Sequence, residues 1–273
     1  MKTGQMKTET GIFTKESIVL HIPHSSCFIL PEYRNLFYLN EEELEEEQLK
    51  MTDRYVDELF DLPFPKIVFP VSRLLCDVER FREDAREVMA ARGMGVCYTG
   101  TSGLKPLKKN TGRYRRAMLK LYDRHHRQLE DLAEERLKAA GSCLIIDCHS
   151  FSSVRLPYEE PSEELRPDIC IGVNRGSHRV DTAYFRRAFE KRGFSVRINT
   201  PFSGAIVPAK FYERDCRIGS VMIEINRSLY MNEKNGEKLP SFEKLKTEIR
   251  EIVCKMPDIP AAQHSVSYVP SER

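Results

Sequence analysis

Two histidines in this sequence follow apolar runs that are typical of buried strands. His24 comes shortly after IVLHI at 18–22, and His149 comes shortly after LIID at 144–147. Two neutral imidazoles and one carboxylate can hold a zinc ion and leave one coordination position open for water. Each histidine alone would also fit an ordinary hydrogen-bonded position in a turn. Polar residues that follow other strands favour the metal interpretation.

Two further predicted strands also run into polar segments, PVSRLLCDVER at 70–80 and VMIEINR at 221–227. Their chemistry-bearing residues are Arg73, Asp77, Glu79, Arg80, Glu224, Asn226 and Arg227. In an open α/β sheet, ligands bind outside the carboxyl ends of the strands. A carboxylate separate from the metal ligands can act as the base for water, and Glu224 is the candidate. The alternative for Glu224 is a solvent-facing position of an alternating strand.

The third metal ligand is expected to be a carboxylate. MTDRYVDEL places Asp53 and Asp57 four residues apart, and we expect them on one face of a helix over 41–61. The competing interpretation is an acidic helix surface, as in the preceding EEELEEE. The local sequence does not distinguish Asp53 from Asp57.

Apolar runs and helical periodicity alternate along the chain. Strands are predicted over 17–22, 66–72, 142–148, 168–173, 194–199 and 220–226, and helices over 41–61, 111–141, 181–193 and 240–256. This alternation predicts one α/β domain over 1–256, with a mixed central sheet and helices on both faces. The segment 257–273 has no periodicity and is predicted to be a flexible tail.

Composition narrows the functional class. The 273 residues carry a formal net charge of +2, which gives no electrostatic case for nucleic acid or membrane partners. No apolar run approaches the roughly 20 residues of a membrane span, and we expect a cytoplasmic protein with a small-molecule substrate. The 8 cysteines include no Cys-x-x-Cys pair and are expected to be reduced packing residues. Nucleotide-binding glycine motifs are absent from the sequence.

A basic stretch, KKNTGRYRRAMLKLYDRHHR at 108–127, supports a non-enzymatic alternative. Its Lys, Arg and Tyr side chains would suit phosphate contacts in a nucleic-acid-binding module. Acidic residues follow at once in QLEDLAEE. The solvated face of an amphipathic helix is therefore the favoured interpretation.

Seven motifs occur in an order and spacing that resemble the N-formylglutamate amidohydrolases, the formylglutamate deformylases of histidine breakdown. They are HIPHSS, TDRYVDELFD, SRLLCDVER, IIDCHSF, RPDICIG, NTPFSGAIVP and IEINRSLYMNE, and together they cover roughly residues 18–235. Each motif is weak alone, whereas seven in order are specific. The resemblance implies a zinc-carboxypeptidase-like (phosphorylase/hydrolase-like) fold. It also implies hydrolysis of N-formyl-L-glutamate to formate and glutamate.

The resemblance assigns a role to each matching metal-site residue. It implies one divalent metal ion per chain, zinc, held by His24, Asp53 and His149, with Asp57 as the rival carboxylate. Glu224 resembles the general base of the carboxypeptidases. Asp147, two positions before His149, shares its side of the strand and can orient it from outside the metal's coordination shell.

The matching motifs also imply substrate contacts. Arg80 resembles the arginine that grips a substrate carboxylate, and Arg73 is a second candidate for that role or for the oxyanion. Asn226 and Arg227 are placed by the resemblance among the substrate-binding residues.

The sequence departs from the family pattern at two places. Glu79 stands where the family usually has Asn, and an acid beside Arg80 would disfavour a dianionic substrate. Ser203-Gly204-Ala205 replaces a more glycine-rich loop. The alternative is therefore a carboxypeptidase-like or other acylamino-acid hydrolase, in which Glu79 selects a neutral or cationic amine.

Overall fold

The computed structural model describes residues 12–160, 165–174, 178 and 180–260. The strands of this part are β1 (Ile12–Phe13), β2 (Ile18–Ile22), β3 (Lys66–Val68), β4 (Cys143–Phe151), β5 (Ile169–Val173), β6 (Val196–Ile198), β7 (Ile218–Asn226) and β8 (Ile259–Pro260). Six of them form one sheet in the order β3-β2-β4-β7-β5-β6. Strands β3, β2, β4 and β7 are parallel, and β5 is antiparallel to β7. The prediction of a mixed central sheet is confirmed.

The helices of the described residues are α1 (Glu41–Met51), α2 (Val56–Leu59), α3 (Gly112–Ala140), α4 (Ala183–Glu190) and α5 (Phe242–Cys254). Helix α1 begins after Asn40, whose side chain accepts a hydrogen bond from the Glu43 N–H while the Glu43 carboxylate accepts one from the Asn40 backbone N–H. Helix α3 ends at Gly141, which adopts a left-handed φ of 76°. These caps explain why the start of α1 and the end of α3 could be predicted from the sequence.

Alternate residues of the central strands face two different helix layers. Leu144 and Ile146 of β4 pack in the large core cluster with residues of α2, α4 and α5. Cys143 and Ile145 pack in a smaller cluster with Leu129 of α3. Helices therefore cover both faces of the sheet, as predicted, and the odd-numbered residues of β4 face α3.

The same alternation positions the candidate site. His149 and Asp147 lie on the α3 side of β4, because side chains two positions apart share a face. In the parallel register, His21 of β2 is opposite Asp147 and Glu224 of β7 is opposite His149. The carboxyl ends of three adjacent strands thus bring their polar residues to one edge of the sheet.

The structure contradicts the prediction of one continuous helix over 41–61. Helix α1 ends at Met51, and the separate helix α2 begins at Val56, directly after Tyr55, which has a left-handed φ of 68°. The Asp53 N–H donates to the His24 carbonyl at 3.0 Å. Asp53 and Asp57 therefore do not share a helix face, because long-range contacts of Asp53 replace the local hydrogen-bonding pattern. The strand predicted over 66–72 is also shorter and ends at Val68, two residues before Pro70.

The two ends of the described chain pair with each other. The first residues of the predicted tail include β8, which pairs with β1 in an antiparallel ladder. Residues 261–273 lie outside the described residues, so the flexible-tail prediction there stays a prediction.

All eight cysteines are free, and most are buried in the core, in line with a packing role. Within the described ranges, no helix is both long and apolar enough to span a bilayer.

Candidate active site

His24, Asp53 and His149 meet at the carboxyl edge of the sheet. His149 Nδ1 lies 3.2 Å from Asp53 Oδ2, and His24 Nδ1 lies 3.8 Å from the same oxygen. All three side chains are buried. Asp57 is exposed, beyond the helix break. Of the two candidate carboxylates, the structure brings Asp53 to the histidines.

One ring nitrogen of His24 has a hydrogen-bond partner, and the other has none among the described residues. Its Nε2 lies 2.9 Å from Asp77 Oδ1, whereas its buried Nδ1 has no hydrogen-bond partner among the described residues. Burial, reinforced by the charge of Arg73, lowers the pKa of His24 and favours the neutral ring. Metal-binding histidines typically donate their other ring N–H to a carboxylate. The arrangement of His24 therefore fits a metal ligand.

Glu79 directs its carboxylate to the same histidines. Its Oε2 lies 3.7 Å from His24 Nδ1, and its Oε1 lies 3.2 Å from His149 Nε2. His24, Glu79 and His149 offer ligand atoms that all lie within 4.8 Å of one another. From the sequence, Glu79 was expected to contact the substrate, and its position beside both histidines was not predicted. A glutamate at this position adds a carboxylate that could hold a metal ion together with the two histidines.

Asp53 is held in place by Arg227. Arg227 Nη2 donates to Asp53 Oδ1 at 2.8 Å, and its Nε donates to Ser150 Oγ at 3.1 Å. Its Nη1 donates to the Lys50 carbonyl at the end of α1. Burial acts to raise the pKa of Asp53, but the hydrogen bond with His149 and the charge of Arg227 outweigh it and lower the pKa. Arg227 therefore orients an ionised Asp53, with its donors engaged by the protein.

His149 lies among three carboxylates. Besides its contacts with Asp53 and Glu79, its Nε2 lies 3.1 Å from Asp147 Oδ1. Burial acts to lower the pKa of His149, but Glu79 and Asp147 outweigh it and hold the pKa well above its usual range. A concentration of negative charge around an imidazole is the environment that a cation would neutralise. Cys148, between Asp147 and His149, packs in the core on the other face.

Glu224 faces this edge from β7. It is 7% exposed, and within the described part of the chain its Oε2 has no hydrogen-bond partner. Burial raises the pKa of Glu224 to about 8, against the opposing charge of His149 and with a further contribution from Asp53. A buried carboxyl group with a raised pKa beside a charged cluster is typical of an acid or base in catalysis.

Asp77, Arg73, Arg80 and Tyr98 form a second cluster beside the histidines, which we term the Asp77 cluster. Asp77 Oδ2 accepts hydrogen bonds from Arg73 Nη2 at 2.8 Å and from Tyr98 Oη at 2.7 Å. Arg80 Nε lies 3.5 Å from the same oxygen. The Arg73 and Arg80 side chains remain 13% and 22% exposed, so both can also meet a ligand.

Asn226 has a structural environment at the end of β7. Its amide donates to the Pro167 carbonyl at 3.1 Å, and its oxygen accepts from the Ser228 N–H at 3.2 Å and the Ser228 hydroxyl at 2.8 Å. These bonds tie the end of the strand to the following turn. They do not connect Asn226 to the histidines or carboxylates of the edge.

Sequence reasoning missed several members of this site. Tyr98 carries no local signal, since its place depends on a loop that returns to Asp77. Asp77 was named among the polar residues of the 70–80 segment, but its hydrogen bond to His24 was not predicted. His21 and His125 also join the edge, with their Nε2 atoms 2.8 Å apart. The HIPH segment could have drawn attention to His21 through its proximity to His24.

The basic stretch at 108–127 is partly internal. Lys108, Tyr114 and His125 are each at most 2% exposed. These side chains cannot contact a phosphate backbone, which weakens the nucleic-acid alternative. Arg113 and Arg116 lie on the exposed face of α3.

Solved structures share this architecture. The crystal structure of an N-formylglutamate amidohydrolase from Ralstonia eutropha JMP134 aligns with a TM-score of 0.74 and 18% sequence identity, covering 88% of this chain and 92% of that chain. The crystal structure of a gene product from Agrobacterium tumefaciens aligns with a TM-score of 0.59 and 18% identity, covering 90% and 94%. At such identities the likeness shows the fold. A search of curated proteins found no match.

The family itself is shown by the sequence. A profile of the N-formylglutamate amidohydrolase family matches residues 16–231, well over half of the 273 residues. This range contains every residue discussed above for the carboxyl edge of the sheet, from His21 to Arg227. The chain therefore belongs to the N-formylglutamate amidohydrolase family.

Proposed function

We propose that the protein is a cytoplasmic zinc-dependent amidohydrolase that converts N-formyl-L-glutamate to formate and glutamate, as in histidine catabolism. The observation that carries the proposal is the free Nδ1 of His24, buried without a hydrogen-bond partner and flanked by Asp53 and Glu79. Glu224 also has an oxygen without a hydrogen-bond partner among the described residues, and it lies on β7, opposite His149 of the neighbouring strand β4. A ligand set and a base thus converge on one edge within a family of amidohydrolases.

The metal would be held by His24, His149 and Asp53, with Glu79 as a further oxygen donor. This mixture of imidazole and carboxylate donors suits zinc. Bound there, zinc would lower the pKa of a water molecule and polarise the amide carbonyl. Asp77 fixes the ring of His24 and Arg227 fixes the carboxylate of Asp53, so the ligand geometry is set by hydrogen bonds already present in the protein.

Glu224 is the proposed proton carrier. Its pKa of about 8, raised by burial, allows the carboxyl group both to accept and to donate a proton near neutral pH. It takes one proton from the attacking water and returns it to the amide nitrogen as the C–N bond breaks. The oxygen of water is retained in formate, and glutamate leaves as the amine.

Arg73 and Arg80 are the proposed contacts for the carboxylates of the substrate. Both stay partly exposed beside the histidines, and the buried Arg80 Nε has no hydrogen-bond partner within the described chain. A guanidinium group recognises a carboxylate through charge-assisted hydrogen bonds. Because Glu79 turns towards the histidines, its charge is engaged at the edge of the sheet, which favours an acidic substrate at these arginines.

The direct test is formate release by purified, zinc-loaded protein from N-formyl-L-glutamate, N-formyl-L-alanine and N-formyl-L-lysine. We expect the highest kcat/KM for N-formyl-L-glutamate. The variant Arg80→Met should raise the KM for this substrate about tenfold or more, as loss of a charged contact implies. The control Arg82→Met removes an exposed arginine that pairs with Asp123 and should leave kinetics unchanged.

Other outcomes have a definite meaning. A preference for the neutral or cationic substrate would favour the alternative of another acylamino-acid hydrolase. A carboxypeptidase-like activity would appear as release of a C-terminal residue from a short peptide, with no formate released. Lack of turnover of every substrate with metal bound would contradict the proposal.

A further inference from the structure

We propose that the edge binds a second divalent cation, at His21 and Asp147, with Glu79 shared between the two metal sites. The inference rests on the proposed function for the first metal, held at His24, and extends it to a two-metal centre. The second site uses two residues, His21 and Asp147, that the first does not need.

The geometry of the second group is compact. His21 Nδ1 lies 2.7 Å from Asp147 Oδ1 and 3.7 Å from Glu79 Oε1. The three residues offer ligand atoms that all lie within 4.8 Å of one another. Neighbouring ligand atoms of a tetrahedral zinc are about 3.3 Å apart for bonds of about 2.0–2.1 Å. To reach this spacing, the 2.7 Å pair would open by about 0.6 Å and the 3.7 Å pair would close by about 0.4 Å.

Glu79 has the geometry of a bridging ligand. Its Oε2 lies 3.7 Å from His24 Nδ1, and its Oε1 lies 3.7 Å from His21 Nδ1 and 3.2 Å from His149 Nε2. A carboxylate that offers one oxygen to each of two groups can serve two cations at once, as in two-metal hydrolytic sites. The Glu79 side chain is 19% exposed and has room to adjust.

His21 resembles His24 in that its Nε2 contacts a neighbouring side chain while its Nδ1 faces carboxylates of the edge. His24 has Nε2 against Asp77 and Nδ1 towards the metal ligands. His21 has Nε2 against His125 Nε2 at 2.8 Å and Nδ1 towards Asp147 and Glu79. At this distance, an N–H on His21 Nε2 can be donated to the lone pair of His125 Nε2. Such a bond would fix the tautomer of His21 that leaves Nδ1 free for a cation.

Asp147 is also fixed for this role. Its Oδ2 accepts the Ile206 N–H at 3.1 Å, which leaves Oδ1 directed at the histidines. His21 and Asp147 are at most 1% exposed, and both belong to the central strands of the sheet. Ligands on adjacent rigid strands make a pre-organised site.

The competing account assigns His21 to a hydrogen-bond chain alone. In that account, His21 donates to Asp147, Asp147 orients His149, and one metal binds. Both accounts rest on the same contacts of His21 and Asp147, but they predict different numbers of metal ions per chain. Metal content therefore separates them independently of activity.

The experiment measures zinc per chain by elemental analysis after chelation, reloading with excess zinc and gel filtration. We expect two zinc ions in the wild type and one in His21→Asn. The matched control His178→Asn changes a buried histidine elsewhere, bonded to the Ile218 carbonyl and the Glu213 N–H, and should keep two. Circular dichroism verifies that each variant is folded.

Each outcome decides the matter. One zinc in the wild type would overturn the second site and leave the proposed function standing, and this measurement needs no variant. Two zinc ions retained in folded His21→Asn would place the second ion elsewhere and also overturn it. No zinc in the wild type would contradict the proposed function together with the inference.

Discussion

Asp77 and Glu224 are two carboxylates at the same edge of the sheet, both buried, with opposite surroundings. Asp77 is fully buried, and its oxygens accept hydrogen bonds from His24, Arg73 and Tyr98. Glu224 is 7% exposed and has an oxygen without any partner. Burial opposes ionisation of Asp77, but Arg73 and His24 hold its pKa well below the usual range. The pKa of Glu224 is instead raised to about 8 by burial.

The comparison shows that burial alone does not set the behaviour of a buried acid. Hydrogen-bond donors and positive charge stabilise the ionised form, and their scarcity favours the protonated form. Asp77 is therefore a fixed anion that positions His24 and two arginines. Glu224 is a group whose proton can move. The following predictions test this distinction.

The largest effect on stability is expected for Asp77→Ala. The substitution leaves the partly exposed cations Arg73 and Arg80 without their shared, fully buried carboxylate, and removal of one partner from a buried ionic network costs about 3–5 kcal/mol, an upper bound for cations that water still reaches. Urea denaturation should show this loss in the free energy of unfolding. Asp77→Asn keeps the shape and some hydrogen bonds and should lose less. An unchanged stability in Asp77→Ala would mean that the network does not operate as described.

The opposite result is expected for Glu224→Gln in metal-free protein. A carboxyl group with a folded pKa of about 8 stabilises the fold below its unfolded pKa of about 4.3, and that contribution is lost as the pH rises towards 8. The neutral amide does not titrate. The variant should therefore gain stability relative to the wild type between pH 5 and 8, by about 2–4 kcal/mol at the upper end. A constant difference across this range would contradict the raised pKa.

A smaller effect is expected for Lys108→Met, which tests the same rule with a cation. Lys108 is buried and donates to the Tyr98 carbonyl, without a carboxylate partner in the described chain, and burial lowers its pKa to about 7. Between pH 7 and about 10.4 the unfolded lysine binds a proton that the folded one lacks, so wild-type stability rises with pH.

The Lys108→Met variant should therefore be more stable than the wild type near pH 7, by about 1–3 kcal/mol. Lost contacts of the ammonium group with the Phe37 and Tyr114 rings offset part of the gain. The difference should shrink towards pH 10. Thermal unfolding at pH 6, 8 and 10 measures it, and a difference that grows with pH would refute the assignment.

Much of the fold could be predicted because local signals agreed with long-range packing. Asn40 and Gly141 specify helix ends, and the apolar run of β4 specifies a strand covered on both faces. The alternation along β4 also predicted that Asp147 would share a side with His149. His24 and His149 were identifiable because each comes shortly after the apolar run of a central strand.

The remaining features depend on contacts distant in sequence. The break that places Asp53 at the site is stabilised by bonds from Arg227 and to the His24 carbonyl, 174 and 29 positions away along the chain. The direction of the Glu79 carboxylate likewise depends on histidines of two strands. No local periodicity carries such information, so the helix break at Asp53 and the direction of the Glu79 carboxylate required the structure.

The central claim is that Glu224 transfers protons at an edge that holds metal without it. The measurement is zinc content and formate release for the wild type and Glu224→Gln under identical loading. We predict equal zinc content and a kcat about a thousandfold lower in the variant, in the range typical of loss of a general base. Unchanged turnover by folded Glu224→Gln, or loss of zinc in parallel with activity, would contradict the account.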